Sequence, residues 1–242
     1  MKSACANCNV HELCTPVGAT EDLLKRLEAL VYVRKRIKAG ATLYHNGSEF
    51  HALYAIKSGF IKTETLHEDG RAQITGFYMA GEILGFDGIA SEAHLCTAVA
   101  LEDTEVCVIP LDRIENNDNG LNELQHHFYK LMSKEIVRDH TIMMLLGSMH
   151  SEERVAAFIL NLSHRSQLRG YAADHLILRM KREEIGSYLG MKVETVSRIF
   201  THFQEQGLLE VHQKDVRILD MSGLKKLVNQ NSSKPDNASK HQ

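Results

Sequence analysis

The apolar positions of this chain change their period along its length. From about Val31 to Leu111 they fall in short β-rich runs: Leu53–Ile56, Phe60–Thr65, Gln73–Met79 and Glu105–Ile109. Turn signals separate them, at Ala39-Gly40, Asn46-Gly47, Ser58-Gly59, Asp69-Gly70, Ala80-Gly81 and Asp87-Gly88. Runs of this length with glycine turns between them predict an antiparallel sandwich or barrel. From Leu121 to Ser148 the period becomes helical, with no Pro and a single Gly, Gly147. Tyr129, Met132, Ile136, Asp139, Met143 and Leu146 step by alternating threes and fours, the spacing of a short coiled-coil seam. A second stripe, Leu124, Phe128, Leu131, Ile142 and Leu145, lies on a neighbouring face. The two stripes predict one long helix that packs on the β-rich region with one face and on a second copy of itself with the other; a single buried helix in a monomer is the alternative. The region from Glu152 to Leu227 is again helix-rich and closes with a hairpin-like pair, Leu208–His212 and Val216–Leu219.

A shorter helix is predicted to start at Thr20-Glu21-Asp22, with Thr20 as N-cap and acids in the first turn. Leu23, Leu24, Leu27 and Leu30 give it an apolar face. These changes of texture divide the chain into a leader (1–19), a β-rich domain (20–116), a long helix (117–149), a C-terminal domain (150–227) and a polar tail (228–242) expected to be disordered. The predicted fold class is α+β.

Composition narrows the setting. The 242 residues are 43% hydrophobic and 24% charged, and no apolar run approaches the roughly 20 residues a bilayer span needs. The N-terminus has no apolar signal region, so the chain reads as cytoplasmic, with no membrane partner. A net charge of −3 gives no global attraction to nucleic acid. Any DNA contact must use a local basic face.

Residues 181–206 offer a polar face with cations around it. A first helix buries Ile185 and Leu189, Gly190 makes the turn, and a second helix buries Val196, Ile199 and Phe203. Its other face presents Glu194, Thr195, Ser197, Arg198 and Thr201, as a major-groove reader requires. Arg can donate two hydrogen bonds to guanine, Glu can accept from cytosine, and Ser can reach bases or phosphate. Lys181, Arg182, Lys192 and Lys214 flank this face and can hold phosphates.

The leader carries Cys5, Cys8 and Cys14, three of the five cysteines. An odd number of thiols in a reducing compartment argues against a disulfide framework. Thiolates packed this closely suit a metal, yet zinc or an iron–sulfur cluster usually takes four protein ligands. A fourth must come from the body of the fold, and spacing alone does not choose between Cys96 and Cys107. Nor does it choose between structural zinc and an iron–sulfur centre. No nucleophilic triad or phosphate-binding Gly loop accompanies the scattered histidines, which argues against an enzyme. His126, His127 and His140 are expected to face solvent. An electron-carrier module is the alternative reading of the cysteines, but it leaves residues 181–206 without a role.

Together the β-rich domain, the long helix and the run Val193-Glu194-Thr195-Val196-Ser197-Arg198 resemble the family of the cAMP receptor protein and the fumarate and nitrate reduction regulator, FNR. Gln73-Ile74-Thr75-Gly76-Phe77, Gly81-Glu82-Ile83-Leu84-Gly85-Phe86-Asp87 and Leu131-Met132-Ser133-Lys134-Glu135-Ile136 look like its FNR branch, as does the leader. The resemblance implies a β-roll related to cyclic-nucleotide-binding domains, a dimerisation helix and a winged helix-turn-helix. It implies a homodimeric regulator of anaerobic metabolism that binds double-stranded DNA at TTGAT-N4-ATCAA-like sites and activates or represses there. It also implies a [4Fe-4S] cluster on Cys5, Cys8, Cys14 and Cys107, intact in the dimer and converted by oxygen. Cys96 is then a small buried hydrophobe. Glu194, Ser197 and Arg198 match the base-reading triplet, with Val193 before it and Lys192 at the helix N-cap. Leu95-Cys96-Thr97-Ala98 lacks the Arg that holds a cyclic nucleotide's phosphate, so no cyclic nucleotide is expected. By resemblance, RNA polymerase would meet the turns around Lys57, Ser58 and Gly59 and around Asp69, Gly70 and Arg71.

Overall fold

The computed structural model describes residues 5, 8, 14–15, 20–31, 33–66, 70–115 and 121–229. Its contacts divide the chain into two compact units, Met1–Arg138 and Asp139–Gln242. The expected disordered tail lies outside the described residues except for Val228 and Asn229, which instead end a helix.

The first unit opens with helix α1 (Glu21–Leu30), whose Leu24 N–H donates to the Thr20 carbonyl. Eight strands follow: β1 (Val33–Ile37), β2 (Thr42–Tyr44), β3 (Ala52–Ser58), β4 (Phe60–Leu66), β5 (Ala72–Met79), β6 (Ile83–Leu84), β7 (Thr97–Ala100) and β8 (Thr104–Pro110). They form two antiparallel four-stranded sheets, ordered β1-β8-β3-β6 and β2-β7-β4-β5. The sequence pattern had pointed to β3, β4, β5 and β8. It missed β1, where Arg34, Lys35 and Arg36 are exposed and only Ile37 is buried.

Strand pleat decides where each side chain goes, because neighbours point to opposite faces. Val106 on β8 belongs to one core, with Ile37, Ile56, Ile61, Leu84, Cys96 and Ala98 drawn from both sheets. Cys107 points the other way and packs against a second core, where Leu27 and Leu30 of α1 meet Leu53, Ile83, Ile109, Phe128 and Leu131. A short helix α2 (Leu111–Glu115) precedes the long helix α3 (Leu121–Ser148). Its Phe128 and Leu131 are buried in this second core, so this part of the second stripe faces its own β domain.

The inter-sheet core holds one buried titratable cluster. His94 is 1% exposed and stacks flat on Tyr44, ring centroids 3.6 Å apart at 8°. Its Nδ1 lies 3.6 Å from Asp87 Oδ1, and neither ring nitrogen has a hydrogen-bond partner. Burial holds the imidazole below the usual histidine range, against an opposing pull from Asp87. A group whose folded pKa is depressed contributes its full stability above the unfolded value, about 6.5 for histidine, and loses it as pH falls below that. Urea unfolding of the wild type should therefore lose stability between about pH 7 and about pH 5, by at most about 1.4 kcal/mol per pH unit from this group. His94→Phe should show a smaller acid loss; equal losses in both proteins would remove His94 as the cause.

The second unit contains α4 (Ser151–Gln167), β9 (His175–Ile177), α5 (Arg182–Leu189), α6 (Val193–Glu205), β10 (Leu209–His212), β11 (Asp215–Ile218) and α7 (Met221–Asn229). β10, β11 and β9 form a three-stranded antiparallel wing. The hairpin was legible in the sequence, whereas β9 carries only a three-residue signal and was not.

Candidate functional site

Cys5, Cys8, Cys14 and Cys107 line one pocket of the first unit. The fold brings the fourth thiol there through the parity of β8, while Cys96 is turned into the core between the sheets. Cys96 is buried, with Sγ 3.4 Å from Asp87 Oδ2, and burial followed by Asp87 pushes its thiol up to about 12. It is thus more than a small hydrophobe: it is an inert thiol bonded to a carboxylate.

The pocket walls are largely apolar and include Leu27, Ile83, Ile109 and Phe128. Burial pushes the Cys5 thiol up to about 11, helped by Glu28 and the neighbouring Cys107 and Cys8. Burial likewise pushes Cys14 up to about 12, with Cys8, Cys5 and Cys107 adding to it. Cys107 is raised by burial too, but Arg34 opposes the rise by charge and by a side-chain hydrogen bond. Arg34 is the cross-strand partner of Cys107 and lines the same pocket, as does Lys57. Four mutually interfering thiols in an apolar pocket with two cations on its wall suit a bound group that takes thiolates and carries net negative charge. Among the described residues no three His, Cys, Asp or Glu side chains are grouped so as to hold a single metal ion.

Residues of the long helix divide sharply. Tyr129, Ile136 and Met143 of the first stripe are exposed at 60%, 56% and 68%. Asp139 is exposed among them, and Met132 and Leu146 are partly buried. His126 and His140 face solvent as expected, but His127 does not. It is 8% exposed, and its Nε2 lies 2.9 Å from the Cys14 carbonyl oxygen. The expectation of a solvent-facing His127 is corrected: it sits three positions after Leu124 and four before Leu131, on the buried face.

In the second unit α5 and α6 form the expected short-turn pair. Gly190 adopts φ 65°, and a Cβ on Gly186 would meet the Met191 carbonyl at 2.7 Å, so both glycines serve the tight turn. Ile185, Leu189, Val196, Ile199, Phe200 and Phe203 are buried. Glu194, Ser197, Arg198 and Thr201 are exposed on α6, with Val193 and Thr195 partly so. Lys192 stands exposed at the N-cap; its ammonium can only donate, so it suits an anion rather than the helix N–H groups.

The chain of observations from wing to β-roll has counterparts among known proteins. The Crp-like helix-turn-helix domain matches residues 153–227 and the cyclic nucleotide-binding domain residues 34–116. The transcriptional regulatory protein btr of Bordetella pertussis is 45% identical over 228 residues, 94% of each chain. The chain belongs to the Crp/FNR family of transcription regulators. The fumarate and nitrate reduction regulatory protein of Escherichia coli K12 is 41% identical over 223 residues, 92% of this chain and 89% of that one. The structure of FixK2 from Bradyrhizobium japonicum is similar at a TM-score of 0.74 and 26% identity, over 81% of this chain and 96% of that one.

As a Crp/FNR regulator the protein is a DNA-binding transcription factor and not an enzyme. No helix among the described residues is long and apolar enough to cross a membrane. Two features of this regulator escaped the sequence pattern. Arg182 stacks its guanidinium 3.5 Å above the Phe200 ring, and burial lowers it to about 10, so it is packed rather than free as a phosphate anchor. Arg154 donates to the carbonyls of Leu146, Met149 and Leu189, tying the end of α3 to the end of α5. Of the expected polymerase-facing residues, Lys57 is bonded to Glu105 at 3.0 Å, while Ser58, Gly70 and Arg71 are exposed. Asp69 lies outside the described residues.

Proposed function

We propose that this protein is an oxygen-responsive, homodimeric cytoplasmic regulator of anaerobic metabolism, activating or repressing from TTGAT-N4-ATCAA-like sites. The observation that carries the reading is the convergence of four thiols from two distant segments on one pocket beneath the long helix. Cys5, Cys8, Cys14 and Cys107 would hold a [4Fe-4S] cluster, which when bound supplies an oxygen-labile redox centre. The chain's own residues do the rest. Arg34 and Lys57 offset negative charge at the pocket. Tyr129, Met132, Ile136, Asp139, Met143 and Leu146 form the dimer seam. Glu194, Ser197 and Arg198 read base edges, with Val193, Thr195 and Thr201 beside them and Lys192 on phosphate. Two reading helices in a two-fold dimer meet half-sites about one helical turn apart.

The names of two relatives, a fumarate and nitrate reduction regulatory protein and an anaerobic regulatory protein of Haemophilus influenzae, support the anaerobic assignment. RNA polymerase is the expected second partner, through Ser58, Gly70 and Arg71. Cyclic nucleotide is not the proposed signal. Residues 95–98 offer no Arg to a phosphate, and Cys96 and Thr97 are already bonded to Asp87 and to the Asn46 N–H.

Anaerobic purification with iron and sulfide analysis tests the cluster. About four of each per chain is the expected result; stoichiometric zinc without iron would end the oxygen-sensing reading. For DNA, Arg198→Ala should weaken binding to a palindromic site by roughly fivefold to 150-fold per half-site, the loss of about 1–3 kcal/mol. The loss should be confined to the cognate sequence. Lys192→Ala should instead weaken all sequences alike and flatten the salt dependence. An Arg198→Ala loss of equal size on scrambled DNA would show a phosphate contact, not a base contact.

A further inference from the structure

A thiol pocket can regulate a dimer only if something transmits its state to the seam, because a ligand shifts an equilibrium only through contacts that differ between the two states. Among the described residues, contacts of two kinds join α3 to the pocket region. Phe128 and Leu131 pack into the core with Leu27, Leu30 and Ile109. This apolar packing is non-directional and, among the described residues, its buried members lie outside the leader, although Phe128 also lines the thiol pocket; it persists whether or not the leader thiols are held. The other contact is directional: His127 Nε2 meets the Cys14 carbonyl oxygen at 2.9 Å, across 113 positions of sequence.

The chemistry of that bond is unambiguous. A carbonyl only accepts, so Nε2 carries the proton and Nδ1 of a neutral ring is left as acceptor. The imidazole is nearly buried, and Thr15 next to Cys14 is buried at 7%, so the bond is shielded from competing water. The other thiols are anchored differently. Cys107 is fixed in β8 between β1 and β3, and the Cys8 N–H donates locally to the Cys5 carbonyl. His127 also lies two positions before Tyr129, where the exposed seam begins.

We infer that His127 is a positioning residue that couples the thiol pocket to the dimer helix by donating a hydrogen bond to the Cys14 main chain. The inference rests on the proposed cluster function. When Cys14 is held with the other three thiols its carbonyl is fixed, and His127 then fixes the first turns of α3 in the orientation that presents Tyr129, Met132 and Ile136. When Cys14 is not held, the carbonyl moves with the leader and the helix keeps only its apolar packing. The ring holds no electron and releases no proton in this role; it transmits position.

The test compares wild type, His127→Leu, His127→Asn and His127→Gln, each prepared with and without reconstitution by iron and sulfide under anaerobic conditions. Iron and sulfide per chain report loading, and sedimentation velocity over a concentration series gives the dimer dissociation constant. Gln keeps an N–H donor of nearly the reach of the imidazole, whereas Asn keeps the donor but falls short. The expected result is normal loading in all four proteins and an unchanged constant in the cluster-free state. The loaded dimer of His127→Leu and His127→Asn should be about two- to tenfold weaker, the loss of one hydrogen bond, with His127→Gln close to wild type. Amide exchange in residues 121–138 should no longer slow on loading in the first two. The inference is overturned if His127→Leu keeps the full wild-type difference between loaded and cluster-free dimers. It is equally overturned if His127→Leu and His127→Gln both lose the cluster, since His127 would then build the pocket rather than report on it. Should His127→Leu fail to fold, the Asn and Gln pair decides in the same way. Failure of the parent reading looks different: wild type itself takes up no iron, or dimerises equally with and without it.

Discussion

Replacing Cys107 with alanine should reduce iron and sulfide incorporation from about four of each per chain to near zero, while Cys96→Ala leaves it intact. The two residues lie eleven positions apart on adjacent parts of one β-roll, and the contrast follows from strand parity. Cys107 faces the leader across the pocket, with Arg34 opposite it on β1. Cys96 faces the core between the sheets and donates to Asp87. Cys107 is only partly buried, so its loss should leave the β-roll folded, and far-ultraviolet circular dichroism should match wild type. With three leader thiols alone, the fourth coordination position would fall to solvent, and the proposed tie from the leader to β8 would be lost. Cys107→Ala should then sediment as a monomer under anaerobic conditions and fail to retard palindromic DNA. If Cys96→Ala lost the cluster and Cys107→Ala kept it, the ligand assignment would be reversed and the pocket would have another purpose.

Much of this was legible in the sequence because the chain advertises its periods. The 3-4 steps of α3 and the buried spacing of Val196, Ile199 and Phe203 in α6 are strong helical signals, and the glycine turns mark the central strands. What the pattern could not supply was parity. Val106-Cys107-Val108 is apolar throughout, so nothing local says which of the three faces the inter-sheet core; only pairing with β1 and β3 fixes that. β1 was missed for a related reason. An edge strand with Arg34, Lys35 and Arg36 exposed carries no alternation to read. His127 was misplaced because a histidine among heptads invites a solvent reading. Its spacing from Leu124 and Leu131 marked the buried face, but the carbonyl that satisfies it belongs to Cys14, and no periodicity reveals such a partner. Arg154 is similar. Its guanidinium finds three carbonyls at two helix ends, a tertiary arrangement with no trace in local sequence.

Asp139→Ala should dimerise without a cluster. Asp139 stands in the first stripe between Ile136 and Met143, and all three are exposed in the single chain. In the proposed symmetric seam the residue would meet its own copy, so two carboxylates would approach on opposite helices. At about 4 Å their repulsion is on the order of 4 kcal/mol for an effective dielectric near 20, and about 1 kcal/mol in full water. Removing it should tighten the dimer roughly fivefold to a thousandfold. The rest of the seam explains why this matters. It spans few heptads, and its apolar members are one tyrosine, one leucine, one isoleucine and two methionines, the last flexible and weakly specifying. Such a seam is marginal, and marginality is what a switch requires: moving a balance from about 1:99 to about 99:1 takes only about 5.5 kcal/mol. A carboxylate that offsets most of the apolar gain leaves the decision to whatever orients the helix. Asp139→Ala removes that dependence, so the aerobic, cluster-free variant should sediment as a dimer and bind palindromic DNA, and salt should weaken the contrast with wild type by screening the repulsion. Asp139→Asn should behave similarly, because it removes charge while keeping size, and that pairing separates electrostatics from packing. An aerobic Asp139→Ala protein found only as monomer would place Asp139 outside the seam and remove the marginal-dimer account of the switch.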